Sequence, residues 1–220
     1  MSPSRRSCGG RGALWLALRR TCRLGLYRLG WFLRRLGGEL ASAGVTLLEY
    51  RNKTGADAEL LADAEILRTV LPAGQVKLIL DDRVDLVEQL GFDGVHVDAG
   101  DLNPAEARQL LGLDGIVGTF GGSSALVAGI LETAADYFSI GPVFPTRTKK
   151  TSTPPIGMDG VRMLRAEAGP GPVLVAIGGI TLATAAEALA AGASVVSIAG
   201  ALFRQPGPAE EFRKWVRELG

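Results

Sequence analysis

The sequence predicts an α/β fold, a (β/α)8 TIM barrel, and three observations lead there. From about Ala41 onward, short runs rich in valine and isoleucine alternate with alanine- and leucine-rich stretches of helical period. Most runs recur at intervals of roughly 20 residues, the length of one strand, one helix and two short loops. They are apolar on both faces, as strands of a covered parallel sheet are. An open doubly wound sheet is the structural alternative, but no G-x-G-x-x-G follows the first run and no Walker loop occurs.

Seven strands are expected at Val45–Tyr50, Val76–Leu80, Gly94–Val97, Gly115–Thr119, Asp136–Ile140, Val173–Ile177 and Val195–Ala199. Helices are expected near Ala56–Leu71, Arg83–Gln89, Pro104–Leu110, Ser123–Thr133, Met158–Ala168, Leu182–Ala190 and Pro208–Leu219. The junctions Ala43-Gly44-Val45, Leu90-Gly91-Phe92-Asp93-Gly94, Ala134-Ala135-Asp136-Tyr137 and Ala191-Gly192-Ala193-Ser194 resemble one another. In each, a small residue ends a helix and turns into a strand. Closure requires an eighth strand. It is not recognisable in its ordinary form, and Gly25–Trp31 is the segment placed to supply it.

With 220 residues, 47% of them hydrophobic, the chain has the material for one core. A net charge of +1 excludes a global excess for nucleic acid, and the composition excludes bulk disorder. Two cysteines, Cys8 and Cys22, with no C-x-x-C and a single histidine, argue against a zinc site or disulfide scaffold. Nine arginines precede the first acidic residue, Glu39. Arginines interrupt the apolar stretch Leu14–Leu36, so stable membrane insertion is not expected, and a cytoplasmic protein is. Residues 1–37 are expected to be a basic extension, either without fixed structure or outside the native coding sequence, and 38–220 one barrel domain. A homo-oligomer is compatible with this pattern.

In such a barrel the chemistry sits where strands run out into the following loops. Arg51 and Lys53 leave one strand two residues apart, a spacing that suits a phosphate clamp or merely a solvated pair. Asp81-Asp82-Arg83 leaves the next, and His96-Val97-Asp98-Ala99-Gly100-Asp101 the one after. Carboxylates at adjacent mouths can share a magnesium ion, or serve as helix caps and partners of Arg83. His96 reads as a packing or supporting residue. Gly141–Thr151 is a loop of hydroxyls and cations that suits a lid over an anion or a plain surface loop. Ile177-Gly178-Gly179-Ile180 and Ile198-Ala199-Gly200-Ala201 leave backbone N–H groups open to a phosphate.

Taken in order, these segments resemble the thiamine phosphate synthase family from about Gly44 to Gly207. Leu48-Glu49-Tyr50-Arg51-Asn52-Lys53 is similar to its Q-[LY]-R-x-K, and Leu80-Asp81-Asp82-Arg83 to its N-D-R. The stretch from Gly94 to Asp101 resembles G-V-H-x-G-Q-x-D. Gly141-Pro142-Val143-Phe144 with Thr146, Thr148 and Lys149 resembles G-P-V-F-x-T-x-[ST]-K, and Ala176–Ile180 resembles A-I-G-G-I.

The resemblance implies a transferase that joins a hydroxymethylpyrimidine diphosphate to a thiazole phosphate, both small-molecule substrates, giving thiamine phosphate and pyrophosphate. It implies magnesium on Asp82 and Asp101, and Arg51, Lys53 and Lys149 as catalytic cations. It implies substrate contacts from Glu49, Tyr50, Asn52, Asp81, Phe120, Thr146, Arg147, Thr148, Gly179, Ala199 and Gly200. Asp81 replaces the family's asparagine, Glu49 a glutamine, Ala99 a glutamine, and Phe120 and Gly200 serines. Two other readings stay open, a phosphate-binding barrel without catalysis and a thiazole tautomerase-like isomerase. The tautomerases use a histidine where this chain has Gly122.

Overall fold

The computed structural model describes residues 14–19, 26–52, 55–98, 100–121, 133–146 and 153–219, with side chains from Trp31 onward. Eight parallel strands follow in chain order: β1 (Leu14–Arg19), β2 (Leu47–Arg51), β3 (Lys77–Asp81), β4 (Gly94–Val97), β5 (Ile116–Phe120), β6 (Tyr137–Ile140), β7 (Val173–Ala176) and β8 (Val195–Ile198). Each pairs with the next, and β1 also pairs with β8, Leu14 beside Val196, so the sheet closes on itself. The helices are α1 (Leu26–Ser42), α2 (Asp57–Val70), α3 (Pro104–Leu111), α4 (Gly157–Ala168), α5 (Leu182–Ala190), α6 (Gly200–Phe203) and α7 (Pro208–Leu219). The expected helix from Ser123 lies outside the described residues up to 132. The described chain is an α/β, TIM-like fold. Among the described residues no helix is long and apolar enough to cross a membrane.

Two expectations are corrected. Gly25–Trp31 is not a strand, because its described part, from Leu26, lies within α1. Leu33, Leu36 and Leu40 recur at helical spacing there, and all are buried. The strand beside β2 and β8 is Leu14–Arg19, with Ala17 in register with Glu49 and Arg19 with Arg51. Helix α1 also runs through residues 37 and 38. The expected helix Arg83–Gln89 contracts to a 3-10 turn, Val84–Leu86. Asp82 and Gly91, which bound the segment, adopt positive φ, 73° and 66°.

Alternation along the strands divides the core in two. Leu47, Ile79, Tyr137, Val175 and Val195 fill the lumen, joined by Ile116, Val173 and Ile177. The alternate residues, such as Leu48, Leu78, Val95 and Leu174, pack outward with Leu67 of α2, Leu164 of α4, and Phe212 and Trp215 of α7.

Three of the four similar junctions of the sequence share one device at the strand-start end. The residue entering an even strand ties down the second residue of the preceding odd strand. Asp93, Asp136 and Ser194 accept from the N–H groups of Leu78, Val117 and Leu174 at 2.9, 2.8 and 3.2 Å. Their own N–H groups donate back to the carbonyls of the same three residues. A helix arginine fixes each, Arg68 to Asp93, Arg108 to Asp136 and Arg165 to Ser194. Arg108 and Arg165 also donate to the Gly112 and Gly169 carbonyls past their own helices, satisfying groups a helix end leaves open.

Burial pushes the Asp93 carboxyl up, but donation from the Leu78 N–H, Lys77 and Arg68 outweighs it and the net shift is downward. A carboxylate with a lowered folded pKa stabilises above its unfolded pKa, near 3.9, and loses that contribution as pH falls through the folded value. Urea titrations of Asp93→Asn should therefore show lower stability at pH 7 and a flatter decline from about pH 5 to 3 than the unsubstituted protein. Parallel pH curves would remove Asp93 from the acid sensitivity.

Candidate active site

The two-residue period that puts Leu47 and Ile79 in the lumen carries polar side chains into it one step further along. Glu49 and Arg51 follow Leu47 on β2, and Asp81 follows Ile79 on β3. On β4 and β6, His96 and Tyr137 stack with ring centroids 5.6 Å apart, and His96 Nδ1 lies 3.2 Å from Tyr137 Oη. Gly118 of β5 makes room for the phenol, since a Cβ there would come 2.0 Å from Tyr137 Cζ. Burial, then the charges of Glu49, Asp136 and Asp98, push the Tyr137 hydroxyl well above its usual range, so it stays protonated.

Above this layer the strand ends bring acids round one cation. Arg51 Nη1 forms an ion pair with Asp81 Oδ2 and lies 3.9 Å from both Asp82 Oδ1 and Asp98 Oδ2. Asp82 holds a left-handed backbone conformation, φ 73°, while its N–H donates to the His96 carbonyl at 2.9 Å. Such strain in a non-glycine residue collects at functional sites. His96 Nε2 stands 3.8 Å from Asp98 Oδ1.

Oxygen atoms of Asp81, Asp82 and Asp98 all lie within 4.8 Å of one another. At an effective dielectric constant of 20, two like charges about 4 Å apart repel by about 4 kcal/mol. Three carboxylates stand round one guanidinium here. Asp81 Oδ1 is buried and receives no hydrogen bond. An all-oxygen donor set with that charge fits a hard divalent cation.

The structure sorts the expected residues. Arg51, Asp81 and Asp82 meet at the mouth formed by β2 and β3, and Glu49 lies two residues before Arg51 on β2. Tyr50 does not join them, because alternation turns it outward: it is 1% exposed and donates to Asp63 of α2. Asn52 follows it, 7% exposed, and donates to Tyr50 Oη at 3.4 Å. Both side chains sit in the β2–α2 packing. Asp101 is outside the carboxylate group, its Oδ2 accepting from the Asp98 N–H at 2.8 Å.

Asp98 stands in the group beside Asp81 and Asp82. It was legible as a departure, since the motif's second glycine is Asp98 here. Phe120 and Thr146 are half-buried beyond β5 and β6. Gly179 has φ 69°, and a Cβ there would meet Phe144 Cβ and the Pro145 carbonyl at 2.7 Å, so only glycine suits the turn after β7. Ala199 and Gly200 open the short α6 after β8. Lys53, Ala99, Gly122, Arg147, Thr148 and Lys149 lie outside the described residues.

The sequence matches the thiamine monophosphate synthase family over residues 33–202. The chain belongs to that family. It is 39% identical over 174 residues to the thiamine-phosphate synthase of Koribacter versatilis, covering 79% of this chain and 81% of that one. It is 37% identical to the thiamine-phosphate synthase of Agrobacterium fabrum over 164 residues, covering 73% of this chain and 74% of the relative. Its fold matches the thiamine phosphate pyrophosphorylase structure from Pyrococcus furiosus with a TM-score of 0.78, at 22% identity, over 94% and 95% of the two chains. The expectations of a synthase and of a transferase are met by this membership.

Tyr50→Phe separates a structural from a substrate-binding role. The substitution should lower stability by about 1–2 kcal/mol in urea unfolding, by leaving Asp63 short of a buried donor. KM for either substrate should not change, and a raised KM at intact stability would restore Tyr50 to the site.

Proposed function

We propose that the chain condenses a hydroxymethylpyrimidine diphosphate with a thiazole phosphate, on a complete (β/α)8 barrel whose first strand is Leu14–Arg19. The observation that supports it best is the charged group at the ends of β2, β3 and β4, Arg51 among Asp81, Asp82 and Asp98, in a chain of this family. In the reaction the methylene C–O bond breaks and its electron pair leaves with pyrophosphate. The thiazole nitrogen's lone pair forms the new C–N bond, so no protein nucleophile is needed.

The protein's part is to neutralise charge that grows on the leaving group and to align the acceptor. Arg51, Lys53 and Lys149 supply the positive charge. Asp82 and Asp101 would hold magnesium, which when bound supplies positive charge to diphosphate oxygens. Glu49 and Phe120 border the pyrimidine side. Thr146, Arg147, Thr148, Gly179 and the Ala199–Gly200 backbone take the thiazole phosphate, the last at a helix start after β8. His96, held by Tyr137, steadies Asp98 rather than exchanging protons with substrate. The enzyme is proposed to work in the cytoplasm on these small molecules.

Purified protein should form thiamine phosphate from the two substrates with magnesium and lose the activity with a chelator. Folded protein that forms no product would overturn this reading in favour of a phosphate-binding barrel. Lys149→Ala should lower kcat by about 10²–10³-fold with little change in substrate binding, because its charge acts as the leaving group develops. An unchanged kcat would remove Lys149 from the mechanism.

A further inference from the structure

Among the described residues two acids are buried, Asp81 at the barrel mouth and Asp63 on α2. Asp63 takes no part in the proposed chemistry. Its carboxylate accepts from Tyr50 Oη, Asn52 Nδ2 donates to the same hydroxyl oxygen at 3.4 Å, and a Cβ on Gly55 would overlap the Asn52 amide. These contacts run from α2 to the end of β2 and on into the loop that follows it. Packing alone does not call for them, because an apolar pair fills such a space without burying a carboxylate. A hydrogen bond adds direction, which apolar contact lacks.

Direction matters where β2 ends. The register with β3 runs as far as Tyr50 beside Leu80, and Arg51 is in register with Arg19 of β1. Tyr50 and Asn52 flank Arg51 in the chain, and Asn52 and Gly55 lie on either side of Lys53. Holding Tyr50 and Asn52 from the helix side sets the rotation of the strand end, and with it the direction of the inward side chain between them.

We infer that Asp63, acting through Tyr50 and Asn52, is a positioning residue for the cations of the β2 end, Arg51 and Lys53. The inference rests on the proposed synthase reading, in which both cations meet the charge of the departing pyrophosphate. That charge grows as the C–O bond breaks, so a displaced cation lowers turnover more than it weakens binding of the intact diphosphate ester.

The test is the full chain with Tyr50→Phe and Asp63→Leu combined. The pair of changes removes hydroxyl and carboxylate together and keeps the aromatic ring that packs against Phe92, with centroids 6.3 Å apart. With both partners gone, neither leaves the other buried and unpaired, so the urea midpoint should stay close to that of the unsubstituted protein. Turnover should nevertheless fall about tenfold, with KM for the pyrimidine diphosphate within about twofold. Pyrophosphate with magnesium, which carries the full charge of the leaving group, should bind about tenfold more weakly in calorimetry. Asp63→Asn, whose amide oxygen still accepts from Tyr50, should recover most of kcat. If the double variant does not fold, Asn52→Ala, which leaves Tyr50 on Asp63, takes its place with the same losses expected. Where the unsubstituted protein turns over, an unchanged kcat, an unchanged pyrophosphate affinity or no recovery in Asp63→Asn would overturn the inference and leave the synthase reading standing. Where no thiamine phosphate forms, weaker pyrophosphate binding in the variant would keep the positioning role and remove the synthase reading, and unchanged binding would remove both.

Discussion

Closure of the parallel sheet is the constraint on which the rest of this structure depends. Once β1 pairs with both β2 and β8, no strand edge is left open, and every second side chain must enter a lumen of fixed width. Leu47, Ile79, Val175 and Val195 fill it, and the step that buries them also decides what stands above them. Arg51 and Asp81 are presented to one another because each lies in phase with an apolar lumen residue on its own strand. Tyr50 and Asn52, one step out of phase, belong to the helix layer.

The two ends of the barrel use arginine in opposite ways. At the strand starts, Arg108 and Arg165 are spread over backbone carbonyls and a single side-chain acceptor, and each draws a helix end to a strand entry. Such bonds are local and fully matched, which suits a rigid base. At the strand ends, Arg51 stands among Asp81, Asp82 and Asp98, and Asp82 is held in a strained conformation. The family membership and the geometry thus point to the same end of the molecule.

Much of this was legible in local pattern. Valine- and isoleucine-rich runs located seven strands to within about two residues, because a strand buried on both faces needs an unbroken apolar run. Gly91, Gly112, Gly169 and Gly192 marked helix ends or the turns into strands. The motifs around Arg51, Asp81 and Asp82 named the acidic mouth, since charged residues directly after an apolar strand have few structural uses.

What the sequence determined by itself was the α/β class and the strand order, which follow from short-range periodicity, and the family and the cations and acids from which the site is built, which follow from the resemblance of its motifs. The tertiary structure decided which of those residues meet. Leu14–Arg19 carries no local signal that sets it above Gly25–Trp31, and only the register offered by β2 and β8 makes it a strand. Asp98 enters the carboxylate group and Asp101 turns back to its N–H because the β4 end and the β3 turn approach in space, a distance that spacing along the chain does not contain. The exclusion of Tyr50 likewise needed its partner, Asp63 of α2, to be seen across the layer.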